Sequence, residues 1–232
     1  MQKIVLLTGS QGFTGCYVRT ALENDGFKVI GLVQKTPKTD EVEADLLDIT
    51  SLRTAVAQVQ PTHVIHLAAI AFVAHASAED FYRVNLFGTL NLLEAIYAEK
   101  PTIEKILLSS SSNVYGNPIV SIVTESTPPA PINHYAMSKL AMEHMARTWS
   151  DRLPIAFTRP FNYTGVGQGH SLTEVIHMCE AITDHRIKVK VNPAFVRANE
   201  LRVLIGDPER LNTQLPDLPK IPFKETLSWM LG

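Results

Sequence analysis

The sequence predicts an α/β fold in which a parallel sheet carries helices on both of its faces. Short apolar runs alternate along the chain with helical patterns, beginning with the run at residues 4–7. Such a run, bounded by turn residues, is typical of a strand buried on both faces, and strand–helix–strand repetition implies parallel pairing. The chain has 232 residues, of which 45% are hydrophobic, enough for one domain, or one domain and a small lobe, around a sizeable core.

The individual elements can be assigned from these patterns in chain order. The predicted strands are residues 4–7, 28–33, 63–67, 105–109 and 154–158, with a weak third strand ahead of Glu43. The predicted helices between them are residues 12–24, 51–58, 76–98 and 135–149. After Asn162 a glycine-rich loop leads into a short helix, a strand and capped turns. We therefore predict a first domain over residues 1–162 and a small lobe over residues 163–232.

Composition and charge narrow the classes of partner. The formal net charge is −2 and there is no basic tail, so nothing favours nucleic acid or an anionic membrane. No apolar stretch is long enough to span a bilayer, and the first residues lack the pattern of a signal peptide. The two cysteines, Cys16 and Cys179, have no disulfide or metal-ligand spacing, and Cys16 is expected to be a small buried side chain. We expect a cytoplasmic protein that binds no metal.

Three evenly spaced glycines, Gly9, Gly12 and Gly15, follow the first strand and open the first helix. This is the context of a dinucleotide fingerprint, in which a tight turn brings a pyrophosphate to the free N–H groups of a helix N-terminus. The spacing is Gly-x-x-Gly-x-x-Gly, and no Gly-Lys-Ser/Thr comes after it, which excludes a P-loop. A plain strand-to-helix turn is the alternative interpretation.

Two features bear on the nucleotide half of such a cofactor. Asp45 follows the weak third strand, near the expected position of an adenine, whereas Asp48 or Thr50 is placed to cap the next helix. The second strand ends at Val33 without the acid that usually accepts a hydrogen bond from the ribose 2′-OH of NAD. A 2′-phosphate is tolerated there, and Lys35 or Lys38 can pair with it. NADP is therefore favoured over NAD.

A tyrosine–lysine pair and a serine run are the candidates for chemistry. Tyr135 and Lys139 stand at positions i and i+4 of a predicted helix and so share one face. A neighbouring cation lowers the pKa of a tyrosine from its usual value of ~10, which makes proton transfer near neutral pH easier. The alternative interpretation is an ordinary Tyr–Lys pair on the protein surface. Residues 109–112 are four serines at the carboxyl end of a strand, where they can face a ligand or form a turn.

In order and spacing, these motifs resemble those of the extended short-chain dehydrogenases, a family of nucleotide-sugar epimerases, dehydratases and reductases. The resemblance covers residues 1 to about 169 and rests on residues 8–15, Asp45, residues 66–69, Asn85 within residues 84–89, the serine run, Tyr135 with Lys139, and residues 159–162. It implies a Rossmann sheet with a smaller lobe for the sugar nucleotide. It also implies a homodimer that packs through the helices at residues 76–98 and 135–149.

The same resemblance implies a role for each candidate residue. Tyr135 is the acid–base residue, Lys139 holds the nicotinamide ribose and tunes Tyr135, and Ser111 donates to a substrate oxygen. Asn162 and Arg197 contact the substrate, although a solvated surface charge is an equal alternative for Arg197. The residues that it assigns to cofactor binding are Gly9, Gly12, Phe13, Gly15, Asp45, Leu46, Leu67, Ala68, Ala69, Tyr135, Lys139 and Pro160.

The two residues directly after the candidate serine narrow the reaction. Family dehydratases have an acidic pair directly after the catalytic Ser or Thr, whereas this chain has Ser112 and Asn113, which disfavours dehydration. Residues 159–168 and the tail at residues 191–227 most resemble GDP-4-keto-6-deoxyhexose reductases. We therefore predict an NADPH-dependent reductase of a nucleotide-linked 4-keto-6-deoxyhexose. An NAD-dependent nucleotide-sugar 4-epimerase and a non-catalytic NADP-binding redox sensor are the alternatives.

The resemblance is interrupted once. His170 runs directly into Ser171, at a point where relatives have a helix, strands and an Arg-Asp motif that contacts the nucleotide. The predicted substrate lobe is therefore incomplete relative to the family, with a segment missing between these two residues.

Overall fold

A computed structural model describes residues 2–71, 77–100, 102–120, 122–161, 169–190 and 204–231. Within these residues, six parallel strands form one sheet in the order β3-β2-β1-β4-β5-β6. The strands are β1 (Ile4–Thr8), β2 (Lys28–Val33), β3 (Glu41–Glu43), β4 (His63–His66), β5 (Lys105–Ser109) and β6 (Ile155–Thr158). The predicted doubly wound α/β fold is confirmed, and the weak third strand is a three-residue edge strand.

The strand order places a crevice at the centre of the sheet. The chain begins at the middle with β1, runs outward through β2 and β3, and then returns to the other side of β1 with β4. Thr8, at the end of β1, is level with His66 at the end of β4. Ligands of open α/β sheets bind beyond the carboxyl ends of the strands at such a reversal. The loops after β1 and β4 therefore border the expected site.

The helices largely match their predicted positions. They are α1 (Phe13–Asn24), α2 (Ile49–Val59), α3 (Ala78–Tyr82), α4 (Thr89–Glu99) and α5 (His134–Arg147). A π-helical turn, Arg83–Gly88, joins α3 to α4, so that the predicted helix at residues 76–98 has an irregular centre. Such turns are frequent at functional sites. In the described part of the chain, no helix is both long enough and apolar enough to cross a membrane.

Side-chain caps fix where two of these helices begin. The Asp48 carboxylate accepts hydrogen bonds from the backbone N–H groups of Thr50 and Ser51, so Asp48 and not Thr50 is the cap of α2. The Asn133 side chain accepts one from the Ala136 N–H at 2.8 Å and so starts α5. A cap of this kind contributes about 1 kcal/mol. Because Asn133 fixes the first residue of α5, it also fixes the side of the helix on which Tyr135 and Lys139 lie.

Both faces of the sheet are buried, as β1 illustrates. Leu6 points into a core that includes Leu52 of α2 and Leu92 of α4. Val5 and Leu7 point to the opposite face, where α1 packs. Cys16, however, is exposed, so the expectation of a buried side chain is wrong. The physical reason is that α1 fully buries only Gly15 and turns the next position outward.

The chain divides into two compact units. The first comprises Met1–Val114 and Asn133–Arg159 and holds the whole sheet; the second comprises Tyr115–Ile132 and Pro160–Gly232. The described part of the second unit holds α6 (Leu172–Thr183), α7 (Glu209–Gln214) and α8 (Phe223–Leu231), with an isolated parallel bridge between Val123 and Gly206. The boundary predicted after residue 162 falls at the edge of residues 162–168, outside the described residues, and stays a prediction.

Candidate active site

The glycine loop after β1 is shaped by close backbone packing. Gly9 has a φ of +70°, and a Cβ there would lie 2.8 Å from the Ala68 backbone nitrogen. A Cβ on Gly15 would lie 2.1 Å from the Gly9 carbonyl oxygen, so neither position admits a side chain without rearrangement. The Gly12 N–H closes the turn by donating to the Gly9 oxygen at 3.0 Å. The loop therefore needs glycine at Gly9 and Gly15 for its own geometry.

The same loop also has the features of an anion site. Gly12 is the N-cap of α1 and has no side chain with which to bond the first N–H groups of the helix. The helix therefore starts without a side-chain cap, and its dipole favours an anion at this end. The Ser10 hydroxyl oxygen in the loop is buried and has no hydrogen-bond partner among the described residues. This orphaned polar atom and the uncapped helix fit the pyrophosphate of a dinucleotide.

The segment after β3 is held in place from three directions. The Asp45 carboxylate accepts hydrogen bonds from the Gln34 side chain at 3.1 Å and from the Leu47 N–H at 2.9 Å. The Leu46 carbonyl accepts one from the Asn91 side chain of α4 at 2.9 Å. Asp45 thus meets Gln34, which directly follows β2, the strand that lacks the usual acid. The two positions that bear on the adenosine half of a cofactor are coupled by this contact.

An acid does lie beside the glycine loop, and sequence reasoning missed it. The Gln11 side chain donates to the Glu41 carboxylate at 3.1 and 3.3 Å, and the Lys38 N–H donates to it at 2.8 Å. The hydrogen bond from Lys38 is the main reason that the pKa of Glu41 is lowered. This carboxylate comes from β3 rather than from the end of β2. No short-range pattern marks it, because the strand order alone brings it to the loop.

Lys139 of α5 is a buried ammonium. It is 3% exposed, and its Nζ donates to the Ser109 carbonyl at the end of β5 at 2.8 Å. Burial lowers its pKa to about 8, and the nearby Glu143 carboxylate opposes that fall. Elsewhere in the described residues the ammonium has no acceptor, so two of its N–H groups remain for a ligand. This burial argues against a surface Tyr–Lys pair.

Tyr135 lies close in the chain to Lys139, and Ser111 lies close in the chain to the carbonyl that binds it. Tyr135 lies one helical turn before Lys139, half-buried, with its ring edge-on to Phe81 at a centroid distance of 6.3 Å. Ser111 is buried two residues beyond the carbonyl that binds Lys139, and its Oγ accepts a hydrogen bond from the Asn113 N–H at 3.2 Å. That bond uses a lone pair and leaves the hydroxyl hydrogen available to donate.

A buried chain of hydrogen bonds underlies the site, centred on His66. The His66 Nδ1 lies 2.7 Å from the Thr8 Oγ1, and its Nε2 lies 2.9 Å from the Thr89 Oγ1. Because Thr89 donates to the Asn85 carbonyl at 2.8 Å, it must accept the Nε2–H of His66. The Nδ1 then accepts from Thr8. Burial, with a smaller effect of the Lys139 charge, lowers the pKa of His66 to about 3, so the ring is neutral.

Asn85 extends this chain to α5. Its side chain bonds both backbone groups of Ile70, at 2.9 and 3.1 Å, and donates to the Ser138 Oγ at 3.0 Å. Ser138 in turn donates to the Tyr135 carbonyl at 2.8 Å. The ends of β1 and β4 are thereby tied to the first turn of α5. His66 and Asn85 stand in motifs that the sequence singled out, but no role could be derived from those motifs.

The remaining predicted residues lie in several parts of the chain. Leu67, Ala68 and Ala69 follow β4, and the Ala68 N–H donates to Thr8 Oγ1 at 3.1 Å. Phe13 opens α1 and is exposed. Pro160 belongs to the second compact unit. Asn162 and Arg197 lie outside the described residues.

Comparison with known proteins places the chain among nucleotide-sugar enzymes. Residues 5–192 match the model of the NAD dependent epimerase/dehydratase family. The chain is 27% identical to a GDP-6-deoxy-D-talose 4-dehydrogenase of Aggregatibacter actinomycetemcomitans, over 89% of each chain. It is 32% identical to a UDP-glucose 4-epimerase of Bacillus subtilis (strain 168), over 69% of this chain and 53% of the epimerase. It resembles the crystal structure of a candidate epimerase from Burkholderia cenocepacia J2315, with a TM-score of 0.86 and 34% identity over 99% of this chain and 97% of the other.

The alignment with the talose dehydrogenase spans 268 positions, more than the 232 residues of this chain. The relative therefore has positions with no counterpart in this chain, and the segment predicted to be missing between His170 and Ser171 stays a prediction. Ser171 is itself the N-cap of α6, in a capping box with Glu174, so a helix begins directly after His170.

Proposed function

Because the chain belongs to the NAD dependent epimerase/dehydratase family, NAD(P)-dependent enzymes that act on nucleotide sugars, we propose that it is an NADPH-dependent reductase of a nucleotide-linked 4-keto-6-deoxyhexose. The observation that carries this proposal is the buried Lys139 one turn from Tyr135, with no carboxylate in the segment that contains Ser111. The similarity to a GDP-6-deoxy-D-talose 4-dehydrogenase supports it, since oxidation and reduction at C4 are one reaction in two directions.

The residues of this chain have distinct parts in such a reaction. The glycine loop and the N-terminus of α1 bind the pyrophosphate, and the free N–H groups of Lys139 bind the ribose next to the nicotinamide. A dinucleotide held there would supply a hydride to the sugar C4. Tyr135 donates a proton to the sugar O4, and the Ser111 hydroxyl donates a hydrogen bond to the same oxygen. The Lys139 charge favours the phenolate that remains.

Elimination of water is disfavoured by the two side chains directly after Ser111. Ser112 is buried and Asn113 is half-buried, and neither side chain can act as an acid or base near neutral pH. A 4-epimerase needs no such pair, and the similarity to a UDP-glucose 4-epimerase makes this the second candidate. A redox sensor is the third, although it would have no use for a buried ammonium beside a tyrosine.

The residues after β2 favour the proposed preference for NADPH, whereas a carboxylate on β3 favours NADH. Beyond β2 the side chains are Gln34 and Lys35, which tolerate a 2′-phosphate. Glu41 on β3, however, places a carboxylate beside Gln11 of the glycine loop, which suits a ribose 2′-OH. The Lys38 charge already acts on the Glu41 carboxylate and helps to lower its pKa, so we assign the phosphate to Lys35. This choice does not affect the proton chemistry proposed for Tyr135.

The test is turnover with a defined substrate. Incubation with NADPH and GDP-4-keto-6-deoxymannose should oxidise the cofactor, and Tyr135→Phe should slow that oxidation by about 10²- to 10⁴-fold. Tyr97→Phe is the matched control, because it removes a phenol hydroxyl from an exposed ring on α4 and should leave the rate unchanged. Interconversion of UDP-hexoses at C4 without net oxidation would favour the epimerase. Cofactor binding without either reaction would favour the sensor.

A further inference from the structure

Three charged side chains of the first unit form a buried charge cluster: Lys139, Glu143 and Arg159. Glu143 lies one turn after Lys139 on α5 and its side chain is 1% exposed. Arg159 follows β6 directly, with a side chain 16% exposed. Its Nε and Nη2 donate to the two carboxylate oxygens of Glu143 at 2.8 and 2.6 Å. Bidentate pairing of this kind adds both energy and geometric specificity to the hold on the carboxylate.

The cluster contains more positive than negative charge. Lys139 and Arg159 are both cations, and the exposed guanidinium of Arg147 adds a third at 3.8 Å from the Glu143 carboxylate. Among the described residues, the other titratable groups around Lys139 are Tyr135 on α5 and His66 at the end of β4, which carries no charge. Glu143 is thus the anion that compensates the buried ammonium within the described residues.

The two cations on either side of the buried Glu143 carboxylate, Lys139 and Arg159, do not respond alike when that carboxylate is removed. A guanidinium stays protonated in any protein environment, whereas a lysine ammonium can release its proton when it is buried without a counter-charge. Lys139 would therefore become neutral while Arg159 kept its charge. Side chains four residues apart on a helix are neighbours, so the Glu143 carboxylate acts on Lys139 at short range.

We propose that Glu143, held in place by Arg159, is a positioning residue that keeps the buried Lys139 protonated. The catalytic use of the Lys139 charge rests on the proposed function. The proposal that Glu143 keeps Lys139 charged does not depend on it. Burial lowers the pKa of Lys139 to about 8, while Glu143 raises it. Burial raises the pKa of Glu143 itself, but the hydrogen bonds and charge of Arg159, with contributions from Ser110 and Arg147, outweigh this and leave it below its ordinary value. Glu143 therefore stays ionised throughout the range in which Lys139 titrates.

The titration of Lys139 can be measured without substrate or cofactor. In protein labelled with ¹³C-lysine, the Cε chemical shift reports protonation, and Lys139→Met identifies the resonance. Glu143→Gln should lower the midpoint by about 1–2 pH units, the shift expected when one charge is removed a helical turn away at intermediate dielectric. Glu99→Gln is the matched control, because it also removes a carboxylate that pairs with an arginine, here Arg53 at 2.7 Å. It should leave the Lys139 midpoint unchanged.

A second variant covers the case in which Glu143→Gln does not fold. Arg147→Gln removes an exposed cation from the same carboxylate, so it should raise the Lys139 midpoint by a few tenths of a pH unit at low ionic strength. A downward shift with Glu143→Gln and an upward shift with Arg147→Gln would support the proposal. An unchanged midpoint in Glu143→Gln, or no rise in Arg147→Gln when the first variant is unfolded, would overturn it. Absence of reductase activity would leave these midpoints as they are and would count only against the proposed function.

Discussion

Lowering the pH from 7 to 5 should destabilise the protein through His66. In the folded state this ring is 1% exposed, and each nitrogen is paired with a threonine hydroxyl, at 2.7 Å for Thr8 and 2.9 Å for Thr89. Protonation would put a second N–H on the ring, and Thr8 already accepts from the Ala68 N–H. A protonated His66 would therefore be a buried charge, and the Thr8 hydroxyl would have to turn its hydrogen away from the ring. The ring resists protonation in the folded state, but not in the unfolded chain.

The two pKa values set the size of the effect. The unfolded value is about 6.5, and burial lowers the folded value to about 3. Between these values the unfolded chain binds a proton that the folded protein does not, so the stability is complete above pH 6.5 and declines as the pH falls towards 3. The slope approaches about 1.4 kcal/mol per pH unit. The free energy of unfolding should therefore fall by about 2 kcal/mol between pH 7 and pH 5 through this residue alone.

Urea unfolding at pH 7, 6 and 5 measures this slope, and His66→Gln removes the titrating group. The glutamine amide can replace only part of the His66 pairing, so we expect the free energy of unfolding of His66→Gln to be lower by about 1–3 kcal/mol at every pH. That free energy should also fall less steeply with decreasing pH than it does in the wild type. His144→Gln, the same change at an exposed position of α5, is the control and should retain the wild-type slope. If His66→Gln lost stability with acidification as steeply as the wild type, the assignment of the slope to His66 would be refuted.

Three further predictions concern the glycine loop, the cofactor and the oligomer. Gly15→Ala should abolish cofactor binding in isothermal titration, because its Cβ would lie 2.1 Å from the Gly9 carbonyl oxygen; unchanged affinity would contradict the loop geometry. In fluorescence titrations NADPH should bind more tightly than NADH, and Lys35→Gln should weaken NADPH alone; tighter NADH binding by the wild type would count against the preference. The chain should dimerise through the helices at residues 76–98 and 135–149, and Phe87→Asp, at a ring 53% exposed, should yield monomers; light scattering that shows a wild-type monomer at micromolar concentration would refute this.

Much of the first unit is determined by the sequence itself, because its signals are local. A buried parallel strand is a short apolar run, and the strands predicted at 28–33 and 105–109 are found with those same bounds. Helix caps are local too, and Asp48 caps α2 through residues only two and three positions away. The even spacing of Gly9, Gly12 and Gly15 likewise marks a loop whose steric demands arise within a few residues of chain. The Tyr–Lys spacing shows which helix face carries the candidate chemistry.

The surroundings of those residues were decided by the tertiary structure alone. Spacing cannot show that Lys139 is buried, because its burial depends on β5, whose Ser109 carbonyl is 30 residues away in the chain. The His66 chain joins residues up to 58 positions apart, and Glu41 reaches the glycine loop only because β3 lies beside β2. Such contacts depend on strand order and helix packing, which arise from the burial of the whole sheet. Desolvation, which lowers the pKa values of Lys139 and His66, is likewise a property of the packed protein.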